Sequence, residues 1–388
     1  MEENKIQWQK IRGIVAVQGS ITLSWVIYSL YLPDLLVQLG FTKALAGTIL
    51  IIEHFLEMAI EPIFGNLSDR SLHDLGTREP WIKLGVILAA TFFIILPIIG
   101  FLISGLSFWR WILPIIAVLW ASAMAIFRSP VIALLTLATP QPKLPIAASY
   151  LTLTQQLIGA FRFTAYNAIV AVGPLFAFAI GSFSLLGAAA FLRQVTPHIA
   201  PKKESQTLPN ISPQILAMIS LIGIAIGFGL RFLFAGLARV LTINGGNVSL
   251  GMLGFSITIA GFAIPTGWLA FKLGNTRIVL AGLLLTAILL QIISLNISTA
   301  MLLIAAILIA FTFSTVLNGI VPFILEVLPT SRAGLGIGLY FGSFGGAISF
   351  FDLFFKQVNN INLQTNLGAI ALIFACFSIA LSLRIEKA

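Results

Sequence analysis

The stretch Glu57-Met-Ala-Ile-Glu61-Pro-Ile-Phe-Gly65-Asn-Leu-Ser-Asp69-Arg70 carries acidic residues from the middle of an apolar segment into a charged loop. Glu53 extends the acidic series upstream at the same spacing of four residues. On an α-helix this spacing places Glu53, Glu57 and Glu61 along one face. Ionisable groups that face hydrocarbon are costly, so they turn toward water-filled cavities or partner charges and mark function by default. The stretch therefore predicts a helix within a bundle, with its acidic face turned inward.

The composition of the chain is that of a membrane protein with many spans. Of its 388 residues, 59% are hydrophobic and 9% are charged, and the mean hydropathy is +1.04. One helical span of a bilayer takes about 20 apolar residues. Runs of suitable length lie at 12–32, 44–64, 81–104, 111–137, 146–171, 174–192, 214–241, 248–271, 277–296, 299–327, 333–355 and 365–383. We therefore predict an all-α integral membrane protein with twelve transmembrane helices.

The basic residues of the chain predict its orientation. A net charge of +9 would indicate nucleic-acid binding in a soluble protein, but here the basic residues lie mostly in short loops between apolar runs. Fifteen of the 22 Lys and Arg residues fall on the side of the N-terminus, and only three fall on the opposite side. Cytoplasmic loops carry the excess of Lys and Arg. We expect both termini in the cytoplasm, a location in the cell inner membrane, and no nucleic-acid partner.

A polar, proline-containing connection at 193–213 divides the spans six and six. Its composition is typical of a linker between two structural units. We therefore predict an N-terminal six-helix half at 1–192, a cytoplasmic linker at 193–213 and a C-terminal six-helix half at 214–388.

Two loops of the first half have weak counterparts in the second. Gly65-Asn-Leu-Ser-Asp69-Arg70, after the second span, is echoed by Gly267-Trp-Leu-Ala-Phe271-Lys272 after the eighth. Thr139-Pro140-Gln-Pro-Lys143, before the fifth span, is echoed by Leu328-Pro329-Thr-Ser-Arg332 before the eleventh. Internal repeats of this kind are typical of secondary transporters, whose site lies between the repeats near the midplane. The echoes favour a duplicated transporter scaffold.

The loop after the second span also resembles a known family signature. Gly65, Leu67, Asp69, Arg70, Gly76 and Arg78 resemble the loop signature of the major facilitator superfamily. Glu57-x-x-x-Glu61-Pro62, followed by Ser68-Asp69-Arg70 and by Gly76-Thr-Arg78-Glu79-Pro80-Trp81-Ile82, is similar to the glycoside–pentoside–hexuronide cation symporters and the sucrose transporters. The resemblance implies the major facilitator fold and cation-coupled symport of a small, sugar-like solute by alternating access.

A different class of function stays open beside transport. Pigment-assembly proteins of photosynthetic bacteria, in the same superfamily, carry a similar Ser-Asp loop. The alternative is therefore a non-transporting membrane factor that binds a pigment, a lipid or a partner protein on a transporter-like scaffold.

The acidic face supplies the candidates for a coupling-ion site, namely Glu57, Glu61 and Glu53. Nearby carboxylates in a low dielectric do not all ionise readily, so one of them can hold an exchangeable proton. Coordination of Na⁺ by carboxylate and carbonyl oxygens is the variant. A static ion pair with an arginine is the structural alternative. His54 lies off the acidic face, and we expect it to pack rather than to take part in chemistry.

Polar residues elsewhere within the spans supply candidates for the substrate cavity: Arg128, Arg162, Arg231, Asp352, Gln155 and Asn318. Counting residues along the predicted spans places Arg128 at the depth of Glu57, Arg162 nearer Glu53, and Arg231 beside Asp352. Such polar residues are often simple interhelical hydrogen bonds. A carbohydrate follows from the resemblance, whereas arginines inside the spans are equally compatible with an anionic substrate.

The loop residues Gly65, Asp69, Arg70 and Arg78 are the candidates for a gate, which the resemblance identifies as a latch at the cytoplasmic side. We expect Asp69 to cap the start of a neighbouring helix while Arg70 and Arg78 face the cytoplasm. In the eleventh span, Gly334, Gly338, Gly342 and Gly346 recur every fourth residue. This spacing predicts close helix packing, with a sliding seam between the halves as its functional extension.

No pattern in the sequence indicates an enzyme, a cofactor site or a metal site. The single cysteine, Cys376, lies in an apolar run, and the chain has no nucleotide-binding loop, no metal-ligand spacing and no nucleophile with a positioned base. We expect no catalytic residue and no cofactor beyond the coupling ion. The expected partners are the lipid bilayer and a small solute, with the protein as a monomer.

Overall fold

The computed structural model describes residues 5–102, 109–196, 208–295 and 298–387. Its helices are α1 (Trp8–Gln38), α2 (Ala44–Leu75), α3 (Glu79–Leu102), α4 (Ile112–Ala133), α5 (Leu135–Ala138), α6 (Leu144–Ala160), α7 (Tyr166–Val172), α8 (Pro174–Val195), α9 (Pro213–Ile243), α10 (Val248–Leu273), α11 (Asn275–Ile292), α12 (Thr299–Val327), α13 (Ala333–Phe354) and α14 (Ile361–Lys387). Short α5 prolongs α4, and α7 prolongs α6 after a 3₁₀ turn at Phe161–Phe163. The described chain thus crosses the bundle twelve times, as predicted.

Ten of these crossings are long and apolar enough to span a bilayer by length and composition. The other two are α2, which carries the three glutamates, and the interrupted pair α6 and α7. The three glutamates of α2 are buried, whereas Ile52, Met58 and Ile63 of the same helix are exposed. The inward position of the acidic face explains how a polar crossing is tolerated.

The crossings form two halves, α1–α8 and α9–α14, that meet along two helix pairs. Helix α2 packs along α13, and α6 packs along α10. Because the number of crossings is even, α1 begins and α14 ends on one face of the bundle, here called the terminal face. Helix α8 ends at Val195 and α9 begins at Pro213, while 197–207 lie outside the described residues. The linker bounds at 193–213 therefore stay a prediction.

Glycines form the seam between α2 and α13, and the predicted close packing is confirmed. A Cβ at Gly334 would lie 2.5 Å from the carbonyl oxygen of Gly65, and one at Gly338 would overlap the backbone of Glu61 and Pro62. A Cβ at Gly342 would lie 3.1 Å from the carbonyl oxygen of Glu57. The absence of side chains lets the two backbones touch. This contact brings the second half directly against the acidic helix.

Gly338→Ala is expected to lower the thermal unfolding midpoint of the purified protein. The new methyl group meets backbone atoms of Glu61 and Pro62, which cannot move aside, and overpacking of this kind costs about 1–3 kcal/mol. Gly346→Ala is the matched control, because its methyl group would meet the flexible Met58 side chain instead. Fluorescence-monitored melting in detergent checks this. Equal midpoints for the two variants would contradict the rigid seam.

Candidate functional site: a buried carboxylate cluster

Glu57 and Glu61 on α2 share a single arginine from α4. The Arg128 Nη2 atom lies 3.3 Å from Glu57 Oε2, and the same nitrogen forms an ion pair with Glu61 Oε1. Both carboxylates are buried, at 2% and 0% exposure. The guanidinium also lies 5.1 Å from the ring centre of Phe341 on α13. The predicted pairing of Arg128 with Glu57 is confirmed, and Glu61 joins it because it lies one turn along the same face.

His54 is a second partner of Glu57, one that the spacing of the acidic face does not predict. Its Nδ1 atom lies 3.2 Å from Glu57 Oε2. Its ring also stacks on Trp25 of α1, with ring centres 5.7 Å apart. The expectation that His54 packs is therefore met, but the residue also belongs to the carboxylate cluster. Its position three residues before Glu57 is the sequence signal for this contact.

Glu53 completes the acidic face without an arginine. The Tyr28 hydroxyl on α1 donates a hydrogen bond to Glu53 Oε1, while Glu53 Oε2 is enclosed with no hydrogen-bond partner. The expected proximity of Arg162 to Glu53 stays a prediction. Arg162 lies on the 3₁₀ turn at Phe161–Phe163, which interrupts the helical count used to place it and packs against α1 and α10.

The charges of this cluster do not balance if every group ionises. The carboxylates of Glu53, Glu57 and Glu61 are all buried on one face of α2, and among the described residues Arg128 is the one arginine paired with them, through Glu57 and Glu61. Full ionisation would leave two uncompensated negative charges in the interior, or one if His54 is protonated. Burial of unpaired charge is far more costly than protonation of a carboxylate. The cluster is therefore suited to hold at least one proton in this conformation.

Asp69 forms a latch at the terminal face. The backbone N–H groups of Gly334 and Leu335, at the start of α13, donate to its two oxygens at 2.9 and 2.8 Å. Arg78 Nη1 donates to Asp69 Oδ1 at 2.5 Å and to Ser68 Oγ at 2.8 Å. Asp69 thus caps a neighbouring helix start as predicted, in the favourable position at a helix N-terminus.

The prediction that Arg78 faces the cytoplasm is wrong, because its side chain is 1% exposed. Helix α2 ends at Gly76, whose φ of 71° is a left-handed conformation that glycine adopts without strain. This turn brings Arg78 back under α2, where Asp69 neutralises it. Arg70 is exposed, as expected.

Arg332 makes two further contacts at the terminal face. Its Nη1 atom donates to Asn66 Oδ1 of α2 at 2.8 Å, which joins the halves, and its Nε atom donates at 3.0 Å to the carbonyl oxygen of Pro209, just before α9. In the other helix pair, a Cβ at Gly267 would lie 2.8 Å from the carbonyl oxygen of Pro145. The two halves are therefore closed against each other at this face.

The remaining cavity candidates are the Arg231–Asp352 pair and Gln155, which are at least partly exposed, and Asn318, which is buried. Arg231 Nη2 forms the predicted ion pair with Asp352 Oδ1, and its guanidinium lies 5.0 Å from the ring centre of Phe351. Gln155 is exposed on α6. Asn318 is a correction, because it is completely buried and donates to Ala263 O at 2.6 Å and to Thr266 Oγ1 at 2.7 Å. It joins α12 to α10 and has no access to a cavity.

Solved structures of other proteins resemble this fold, although no related sequence is found. Neither a protein-family profile nor a curated protein sequence matches this chain. Among solved structures, a bacterial homologue of the iron transporter ferroportin in an outward-facing state matches with a TM-score of 0.76 and 16% identity, covering 98% of this chain and 100% of that one. FucP, a major facilitator superfamily transporter in the outward conformation, matches with a TM-score of 0.75 and 12% identity over 96% and 98%. The chain adopts the major facilitator fold.

A third match is the proton:xylose symporter XylE, with a TM-score of 0.73, 12% identity, and coverage of 96% of this chain and 95% of that one. Of the three, FucP is a transporter, XylE is a symporter, and the third is a homologue of an iron transporter. Identities this low establish the major facilitator fold alone, and the narrower resemblance to glycoside–pentoside–hexuronide symporters is not confirmed.

Within the major facilitator fold, the carboxylate cluster lies at the contact between the halves. A Cβ at Gly345 of α13 would lie 3.1 Å from Glu57 Oε2, so the backbone of the second half abuts this carboxylate. Two apolar grooves lie elsewhere, one of about 270 Å³ between α3 and α8 and one of about 390 Å³ between α11 and α14. Neither contains a member of the cluster, so charge and position rather than pocket size identify the candidate site.

Proposed function

We propose that this protein is a secondary active transporter that couples the movement of a small polar solute to proton entry. The observation that carries the proposal is a face of three buried carboxylates, two of which share one arginine, placed against the backbone of the opposite half. Intramembrane ionisable groups at such a place are typical of proton relays in transporters. The major facilitator fold, with its two six-helix halves, supplies the scaffold for alternating access.

The contact between Glu57 and Gly345 links proton binding to movement of the halves. In the present conformation the backbone of α13 at Gly345 seals one side of the buried Glu57 carboxylate. When α13 moves along α2, this seal opens and the environment of the carboxylate changes. A group whose hydration differs between two conformations binds its proton with different affinity in each. That difference couples the proton gradient to the motion.

A proton suits this cluster better than Na⁺. Arg128 already occupies the position between Glu57 and Glu61 that a metal cation would take. The remaining negative charge is then most simply removed by protonation of a carboxylate. Glu53, which has only the Tyr28 hydroxyl as partner, is the group furthest from compensating charge.

The predicted orientation of the chain indicates which side of the membrane is closed in this conformation. The excess of basic residues on the terminal face makes it the cytoplasmic face by the positive-inside rule. The contacts of Asp69 with α13 then close the cytoplasmic side in this conformation, and we propose the inner membrane of the cell as the location. The solute enters from outside together with the proton, which is symport.

Reconstitution into liposomes tests the proposal. A thermal-shift screen of the purified protein against neutral sugars and organic anions first selects a solute, because a ligand of the native state raises apparent stability. Uptake of that solute is then driven by an inward proton gradient or an inward sodium gradient. We expect accumulation with the proton gradient. Accumulation that survives collapse of both gradients would refute coupling, and the absence of protein-dependent flux would favour a non-transporting binding factor.

A further inference from the structure

We propose that the groove between α3 and α8 is a binding site for an anionic phospholipid of the leaflet at the terminal face. The groove combines an apolar body with a positively charged end, which is the arrangement that a lipid with a negatively charged headgroup requires. It lies outside the carboxylate cluster, so lipid binding there does not depend on transport of a solute.

The lining of the groove changes from polar to apolar along its length. Glu79, Lys83 and Arg193 line it at the start of α3 and the end of α8. Further along the same helices the lining is apolar and includes Ile87 and Leu186. Because α3 begins and α8 ends at the terminal face, the charged end lies at that face and the apolar part extends toward the middle of the membrane. A phospholipid has the same order of headgroup and acyl chain.

The dimensions of the groove suit an acyl chain. From Glu79 to Ile87 the groove follows α3 for about 12 Å, whereas half of the hydrocarbon core of a bilayer measures about 15 Å. Its volume is about 270 Å³. Ile87 and Leu186 are exposed where they line it, so the groove is open to a chain from the surrounding lipid.

The described charges at the polar end leave a surplus of one positive charge. Arg193 Nε pairs with Glu79 Oε1 at 2.7 Å, and the Arg193 side chain is 67% exposed. Lys83 follows Glu79 by one helical turn, is exposed, and has no ion pair among the residues that the structure describes. Arg78, which also lines the groove, is neutralised by Asp69. The surplus complements the single negative charge of a phosphodiester headgroup.

The groove between α11 and α14 has no such complement. The polar side chains that line it, among the described residues, are those of Gln291 and Asn366, and neither is charged. That groove offers apolar contact to an acyl chain but no cationic partner to a headgroup phosphate. Charge therefore assigns the anionic lipid to the groove between α3 and α8.

The headgroup is the part of the lipid that gives selectivity. An acyl chain gains little by leaving other lipid for a protein groove, because lipid tails are as apolar as the side chains that line it. A basic residue near the membrane surface favours an anionic lipid by about fivefold in affinity. The exposed charges of Lys83 and Arg193 therefore distinguish an anionic lipid from a zwitterionic one.

Thermal unfolding of the delipidated full-length protein in detergent micelles tests the site. The probes are phosphatidylglycerol and phosphatidylcholine with identical acyl chains, and glycerol 3-phosphate, which has the phosphate without the chains. We expect a saturable rise in the unfolding midpoint with phosphatidylglycerol, because a ligand of the native state raises apparent stability. Phosphatidylcholine should give a smaller rise, and glycerol 3-phosphate should give none.

Lys83→Gln is the informative variant, because it removes the surplus charge and leaves the pair of Glu79 with Arg193 in place. It should weaken the apparent affinity for phosphatidylglycerol about fivefold and leave the response to phosphatidylcholine unchanged. Lys272→Gln, which removes an exposed charge at the same face but outside the groove, is the matched control and should behave like the wild type. Ala190→Phe fills the groove from an exposed position and should weaken the response to both lipids.

Four results would overturn the lipid site. Equal rises with the two lipids would show that the headgroup charge is not recognised, and an unchanged response in Ala190→Phe would show that the chain does not lie in the groove. An equal loss of affinity in Lys83→Gln and Lys272→Gln would indicate general attraction to a basic protein. A full response to glycerol 3-phosphate would identify the ligand as a soluble phosphate instead of a lipid.

Discussion

Glu61→Gln is expected to abolish proton-driven accumulation of the solute while solute exchange continues. Glu61 is completely buried and shares Arg128 with Glu57, so the amide preserves shape but removes a group that can release a proton. Exchange needs no net ion movement and therefore survives. We expect accumulation to fall to background and exchange to stay within about threefold of the wild type, because only the coupled step is lost. Uptake and exchange in liposomes, normalised to folded protein, measure both.

Glu57→Gln should behave in the same way, because Glu57 shares the same guanidinium. Glu79→Gln, which alters a partly exposed glutamate paired with Arg193 outside the cluster, is the control. A purely structural ion pair predicts a different result. Removal of one charge would then destabilise the fold around Arg128, and uptake and exchange would fall together. Retention of both activities would equally count against a coupling site.

Asp69→Asn is expected to weaken closure of the terminal face more than any other single change there. The amide of the variant offers one oxygen to α13 where the carboxylate of Asp69 offers two, and it leaves the buried Arg78 guanidinium without a counter-charge. Loss of one partner from a buried ion pair costs about 3 kcal/mol. Because α13 supplies both the N–H donors to Asp69 and, at Gly334, the backbone that covers Arg78 Nη1, the cost falls on the closed conformation. Transport should weaken with little change in the amount of folded protein.

Spin labels at the exposed positions Arg70 and Lys272, in a background without Cys376, measure the opening directly. Asp69→Asn should shift the distance distribution between the labels toward longer distances. Asp74→Asn, which changes an exposed carboxylate about one turn along the same helix, should leave the distribution unchanged. An unchanged distribution together with full counterflow activity in Asp69→Asn would show that Asp69 is not a latch.

The features that depend on helical spacing were predictable from the sequence. The spacing of Glu53, Glu57 and Glu61 predicted one buried face, and all three are buried on it. Residue counts along straight helices predicted the pairs of Arg128 with Glu57 and of Arg231 with Asp352. Such counts work because the rise per residue of an α-helix is constant.

Such counts are limited where the backbone departs from a straight helix. The count that places Arg162 assumes a straight helix, whereas the residue lies on a 3₁₀ turn at Phe161–Phe163. Arg78 was expected in solvent, but the left-handed turn at Gly76 carries it under α2. The spacing of residues along one segment predicts neither the 3₁₀ turn nor the left-handed turn.

Contacts between different helices could not be predicted from the sequence either. Tyr28 reaches Glu53 from α1, although nothing in the spacing of either helix indicates which residues face each other. Asn318 was one of several polar residues inside spans, and only the packing of α12 on α10 shows that its amide serves that contact. Lateral neighbours depend on how helices pack, which requires the whole bundle.

Proton movement that accompanies solute entry distinguishes a coupling cluster from a static one. Liposomes that contain the protein and a trapped pH-sensitive dye receive the solute from outside, with no ion gradient imposed. Entry of the solute through the wild-type protein should acidify the lumen, and Glu61→Gln should move solute in exchange without this acidification. Solute entry through the wild type with no change in lumenal pH, or acidification that persists in Glu61→Gln, would contradict the role of these carboxylates.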